Sequence, residues 1–273
     1  MIEIAALSTN SVAIPHLRLP ALVPLMPAPA SLRPVGVKPV PLRAPPHWRD
    51  SLGLVEQYLP FTRRLVHEDA MVQLAGEPFT SLHIIKVGVV KSVALSASGR
   101  EQVVGLHLPG EWIGFDCIAS GVQGCDAFAM DTCEVWSLRY DAVLRAAVTV
   151  PAILHALCMA MSAQMARDRE WRFSICTLSA DARVADFVLN WVQALSARDL
   201  RTDQITLRLT RAEIGSYLGM TLETVSRSFS SLDRCGLIRF DDKGRRYFAV
   251  PSVPALTDYV RNMVDPPERK TLQ

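Results

Sequence analysis

The chain has 273 residues, 49% of them hydrophobic and 21% charged, which is ordinary for a globular protein long enough for two domains. Its net charge of +2 neither demands nor excludes a nucleic-acid partner. No apolar run reaches the roughly 18 residues of a membrane span, and Met1-Ile2-Glu3 lacks the basic start of a secretory signal. The expectation is a cytoplasmic protein with no membrane contact.

Residues 1–50 carry ten of the eighteen prolines, including Pro45-Pro46. Such spacing leaves no room for a continuous helix or central strand, so this stretch reads as a disordered extension. From 51 to 150 short apolar runs alternate with glycine. Leu82-His83-Ile84-Ile85 leads to Gly88, Val89 to Leu95 leads to Gly99, and Val103 to Leu106 leads to Pro109-Gly110. Strand-length runs with turns every 8–12 residues predict an antiparallel barrel or jelly roll. Gly88, Gly99, Gly110 and Gly121 fall at its corners, where positive φ favours glycine.

Residues 151–178 contain no glycine, and Pro151 suits a first helical turn. Leu154, Leu157, Met161, Gln164, Asp168, Trp171 and Ile175 alternate spacings of three and four. That is a heptad seam and predicts a dimerisation helix, the alternative being a helix packed on its own roll with Asp168 facing water. A second helix is expected over 180–197 and a strand over 205–209. A C-terminal domain is placed at 179–255 and a tail at 256–273.

The segment from 210 to 250 carries the chemistry. Thr210 and Glu213 have capping-box spacing, and a helix from Arg211 to Leu218 ends at Gly219-Met220-Thr221. Thr221 caps a second helix from Leu222 to about Arg234, closed by Cys235-Gly236. Two helices joined by a short glycine turn form a helix-turn-helix. Val225, Phe229 and Leu232 face inward. Glu223, Ser226 and Arg227, at i, i+3 and i+4, share the opposite face in the first turns. An Arg fork matches both acceptors of guanine, and a carboxylate accepts from the cytosine amine. Thr210, Arg211, Thr221 and Thr224 are expected to cap helices or touch the DNA backbone. The strands on either side of Asp241-Asp242-Lys243-Gly244 predict a hairpin wing, with Lys243, Arg245 and Arg246 set for phosphates. Between Arg208 and Arg246 the chain holds eight basic and five acidic residues, a local positive excess useful there.

The run Leu209-Thr-Arg-Ala-Glu-Ile-Gly-Ser-Tyr-Leu-Gly-Met-Thr-Leu-Glu-Thr-Val-Ser-Arg227 closely resembles the helix-turn-helix of the Fnr branch of the Crp/Fnr family. The likeness continues in Gly105-Leu-His-Leu-Pro-Gly-Glu-Trp-Ile-Gly-Phe-Asp116 and covers roughly 60–250. The resemblance implies an α+β protein: an N-terminal cyclic-nucleotide-binding-like β-roll, a long dimerisation helix and a C-terminal winged helix-turn-helix. It also implies a homodimeric transcription activator. Glu223, Ser226 and Arg227 would read each half of a double-stranded TTGAT–N4–ATCAA palindrome, a turn of the roll at Ser96–Glu101 would touch RNA polymerase, and control would relate to oxygen, redox state or nitrogen oxides. Asp168 aligns with the family's aspartate that tunes dimerisation.

Two departures stand out. No arginine occurs from Glu111 through Leu138, so a cyclic phosphate would lack its usual charge partner, and cAMP binding is not expected. Oxygen-sensing members hold a [4Fe–4S] cluster on three clustered N-terminal cysteines and a distant one. Cys133 aligns with the distant ligand, but no cysteine precedes Cys117, so the usual cluster, which needs four thiolates, is not expected. Cys133 and Cys235 remain candidate redox thiols, Cys235 because it ends the recognition helix. Three other readings stay open: a cupin-like metal enzyme using His83 and His107, a haem sensor ligated by His83, His107 or Cys117, and a helix-turn-helix that binds protein.

Overall fold

The computed structural model describes residues 48–202, 204–241 and 247–264. Eight strands form the roll: β1 (Thr62–Val66), β2 (Met71–Gln73), β3 (Ser81–Val87), β4 (Val90–Leu95), β5 (Glu101–His107), β6 (Trp112–Ile113), β7 (Asp126–Ala129) and β8 (Cys133–Arg139). They make two four-stranded antiparallel sheets, ordered β1-β8-β3-β6 and β2-β7-β4-β5. Ile85, Val90, Ile113, Ala129 and Val135 fill the space between them. Gly88, Gly99, Gly110 and Gly121 all take positive φ, as the turn spacing predicts. Gly88 has a second reason. A Cβ there would lie 2.9 Å from the Cys133 backbone, so the β3–β4 corner can close only around a residue without one.

A helix opens the segment expected to be roll, overlapping only the last residues of the expected extension. α1 (Trp48–Tyr58) packs Leu52 and Val55, with Leu59 just beyond it, against Trp136 and Leu138. α2 (Tyr140–Thr149) and the 27-residue α3 (Pro151–Thr177) follow, with Pro151 in the first turn of α3.

The seam expected on α3 divides between two faces. Leu154 and Met161 are exposed, as a partner-facing position requires, and so is Asp168. Leu157 is instead buried with Ile153 in the roll's own core. Trp171 Nε1 donates to the Tyr217 carbonyl at 3.0 Å, and Ile175 is half-buried beside Gly219. Leu157 and Ile175 therefore pack within the chain, because the helix must cover its own roll and DNA-binding half before any second copy. The exposed apolar positions run through Leu154, Met161 and Met165.

α4 (Ala180–Ser196), capped by the Ser179 hydroxyl, is the central helix of the C-terminal half. Around it stand β9 (Ile205–Thr206), α5 (Arg211–Leu218), α6 (Leu222–Arg234), β10 (Arg239–Phe240), β11 (Tyr247–Ala249) and α7 (Val253–Val264). The three short strands pair in the order β10-β11-β9. The expected tail from 256 is in part helix: Leu256 and Val260 of α7 belong to the same buried cluster as Val188, Phe229 and Phe248. Their i, i+4 spacing gives α7 an apolar stripe that would otherwise face water.

Candidate nucleic-acid interface

Two local devices set the helix-turn-helix. At the start of α5 the Thr210 hydroxyl accepts from the Glu213 amide at 3.2 Å, while the Glu213 carboxylate accepts from the Thr210 amide at 2.7 Å. This reciprocal cap satisfies two amide donors that the first turn leaves open. At its end Gly219 stands at φ 64, where an L side chain is strained. The Thr221 hydroxyl then accepts from the Thr224 amide at 3.2 Å and opens α6.

Gly215, inside α5, was not singled out by the sequence. A Cβ on it would stand 2.6 Å from the Met220 carbonyl oxygen. The turn folds back so closely that only glycine fits. A glycine inside an otherwise regular helix is the one signal that could have pointed to it.

α6 is two-faced. Val225, Ser228, Phe229 and Leu232 are buried. Glu223 and Arg227 are exposed and Ser226 is half-buried, so the three expected base readers lie together on the open face. Arg227 Nη2 reaches Thr224 Oγ1 at 3.5 Å, which keeps the guanidinium near the start of the helix. The Glu223 carboxyl is held below its ordinary range by its own backbone amide, the Thr221 hydroxyl and the Arg227 charge. It is thus an ionised acceptor at neutral pH.

Thr210 and Thr221 are the N-caps of α5 and α6, and the Thr224 hydroxyl lies 3.0 Å from that of Thr221. Arg211 does not point out as a backbone contact should. Its guanidinium lies 3.7 Å from the centroid of the Phe229 ring and 5.6 Å from that of Phe240. The planar cation is a packing element there. Phe229, Phe240 and Phe248, with centroids 6.1–6.3 Å apart, tie the strands of the wing to α6. Lys243, Arg245 and Arg246 lie outside the described residues.

A cavity of about 330 Å³ lies between the roll, α3 and α5, lined by Ser92, His107, Asp116, Gln164, Arg167, Asp168, Arg172 and Tyr217 among others. Arg167 and Arg172 come from α3, so guanidinium groups absent from the Glu111–Leu138 window do reach this space. His107 Nε2 and Ser92 Oγ are 2.8 Å apart, and burial holds the imidazole neutral, with a pKa lowered to about 4. His83 pairs with Ser137 at 3.0 Å in the other sheet, so the two histidines do not converge on one site. Among the described residues no group of three or more His, Cys, Asp or Glu is arranged to hold a metal ion.

Cys133 is fully buried, its Sγ 3.2 Å from the Val89 carbonyl oxygen, and burial together with the Asp131 carboxylate pushes the thiol up to about 11. It lacks the exposure and low pKa that a reactive thiol needs, which corrects its reading as a redox candidate. Cys235 is exposed at the C-cap of α6.

Residues 63–149 match the cyclic nucleotide-binding domain and residues 182–259 the Crp-like helix-turn-helix domain. The chain is 30% identical to the anaerobic regulatory protein of Aggregatibacter actinomycetemcomitans over 75% of its own length and 78% of the relative's. It is 30% identical to the transcriptional activator protein Anr of Pseudomonas protegens, over 76% and 91%. The structure of FixK2 from Bradyrhizobium japonicum superposes with a TM-score of 0.64 at 26% identity, covering 73% of this chain and 97% of that one.

Proposed function

The chain belongs to the Crp/Fnr family of DNA-binding transcription regulators, and from that premise we propose that it binds, as a homodimer, a palindrome of the TTGAT–N4–ATCAA type and activates transcription in the cytoplasm. The observation that carries this reading is the exposed Glu223–Ser226–Arg227 face of α6, held by a capped N-terminus. A recognition helix enters the major groove at that end. There the Arg227 fork takes O6 and N7 of guanine, and the ionised Glu223 accepts from the amine of cytosine. Ser226, between them, serves as a short donor or acceptor. Thr210, Thr221 and Thr224 stand where backbone phosphates pass, and Lys243, Arg245 and Arg246 of the wing add charge without reading sequence.

Two α3 helices, paired through Leu154, Met161 and their neighbours, set two α6 helices about one DNA turn apart. The exposed Ser96–Glu101 turn, closed by the Ser96 hydroxyl accepting from the Arg100 amide at 3.0 Å, offers a surface to RNA polymerase. The chain's role in this reading is binding, with no catalytic step.

Fluorescence anisotropy on the palindrome and on a scrambled duplex, at stated salt, tests the reading. Specific binding is expected to exceed non-specific binding by at least about a thousandfold. Arg227→Ala should cost about 1–3 kcal/mol and relax the preference at the guanine alone. Equal affinity for both duplexes, in air and under anaerobic reduction alike, would refute the assigned half-site. Tight binding in air would show that no oxygen-labile cluster is required.

A further inference from the structure

We propose that the outer edge of the roll's β4–β5 pair is a dock for α5, and that Lys91 is thereby a positioning residue for the reader helix α6. The proposal rests on the DNA-binding role above. β5 is an edge strand of its sheet, and an edge leaves backbone groups open for another element to take. α5 takes them. The Val103 amide donates to Ser216 Oγ at 2.9 Å, and the Gln102 side-chain amide donates to the Ser216 carbonyl. One turn earlier Lys91 of β4 forms an ion pair with Glu213, the two side chains being 17% and 25% exposed. Glu213 and Ser216 are i, i+3 and share a face of α5, whereas Ile214 and Leu218 face the core of the DNA-binding half.

Glu213 joins the two halves in one carboxylate. Oε2 caps the first turn of α5 and Oε1 meets Lys91. α5 and α6 share one buried core through Ile214, Leu218, Val225 and Phe229, and Gly215 pressed against the Met220 carbonyl closes the turn between them. Fixing α5 on the roll therefore fixes where α6 points, while Glu223 and Arg227 stay open to solvent. A half-buried ion pair is a weak source of net stability, but it is a good selector of one arrangement. A prealigned reader does not spend binding energy on ordering itself.

Salt-series anisotropy of the full chain on the palindrome tests this. Lys91→Gln should bind about tenfold more weakly, an ordinary coupling between two sites, with an unchanged slope of log K against log salt. Glu213→Gln keeps a capping-box acceptor and should lose the same factor, and the double variant should be no weaker than either single one. Undiminished binding by Lys91→Gln would overturn the proposal, as would additive losses. A salt slope reduced by about one would mean that Lys91 touches phosphate, which overturns it too. If the parent protein shows no preference for the palindrome, the DNA reading has failed. The dock is then decided without DNA by hydrogen exchange at the Val103 amide. Slow exchange that quickens in Ser216→Ala sustains it, and equal rates in the two proteins overturn it.

Discussion

His83 and His107 each give one ring nitrogen to a serine hydroxyl inside the roll, and each is kept neutral by burial. Arg64 adds to the effect at His83. At His107 the carboxylates of Glu111 and Asp116 oppose burial without overcoming it. Both pKa values fall from 6.5 to about 4. The unfolded chain therefore takes up protons below pH 6.5 that the folded chain refuses, and stability must fall as pH drops. The expected slope is up to about 1.4 kcal/mol per pH unit for each histidine between 6.5 and 4, with no contribution above 6.5. Glu213 acts in the same direction at lower pH. Burial alone would raise its pKa, but Lys91 and Thr210 outweigh it and hold the carboxyl down. Its contribution is present above its unfolded value and lost as pH falls through the folded one. Urea midpoints taken from pH 7.5 down to 4.5 check this. His107→Gln should flatten the decline by about one histidine's share, and an unchanged profile would show that His107 does not titrate on unfolding.

At the scale of elements, Gly215 inverts a general rule. Glycine inside a helix costs roughly 1 kcal/mol relative to alanine, so Gly215→Ala would stabilise an ordinary helix. Here the new methyl would meet the Met220 carbonyl, which belongs to the turn's backbone and has no flexible end to swing away. Gly215→Ala is expected to lower the melting temperature and to weaken binding to the palindrome, although Gly215 touches no base. A variant with raised stability and parental affinity would contradict the tight turn. The bounds of α5 and α6 were legible because Thr210–Glu213, Gly219 and Thr221 are local signals that act within one turn of where they stand. The use of Gly215 was not legible, since its reason is an approach of backbone to backbone that exists only once the turn is made. Arg211 was misread for a related cause. Its charge is visible in the sequence, but the Phe229 face on which it lies comes from the following helix. α1 escaped notice because its Leu52 and Val55 stripe follows directly on a proline-rich stretch whose composition hides it.

For the molecule as a whole, α3 shows how far periodicity reaches. At 1.5 Å per residue its 27 residues span about 40 Å, long enough to serve the roll, the DNA-binding half and a second copy at once. A heptad spacing records that a helix has an apolar stripe, but not which partner covers each side of it. Leu157 and Met165 separate the two cases. Leu157 is 8% exposed within the roll's core, whereas Met165 is 69% exposed among the described residues. Met165→Glu should leave the melting temperature of the roll near that of the parent and turn the protein monomeric in sedimentation at micromolar concentration. Its affinity for the full palindrome should fall to that for a single half-site, since the second half then no longer binds as part of the same molecule. Leu157→Ala should do the reverse. Removing a buried leucine costs about 2–5 kcal/mol of fold stability, while the protein that remains folded should still pair. If Met165→Glu stayed dimeric while Leu157→Ala dissociated, the partner-facing stripe would run through Leu157 after all, and the Leu154–Met161–Met165 face would be covered by something other than a second copy.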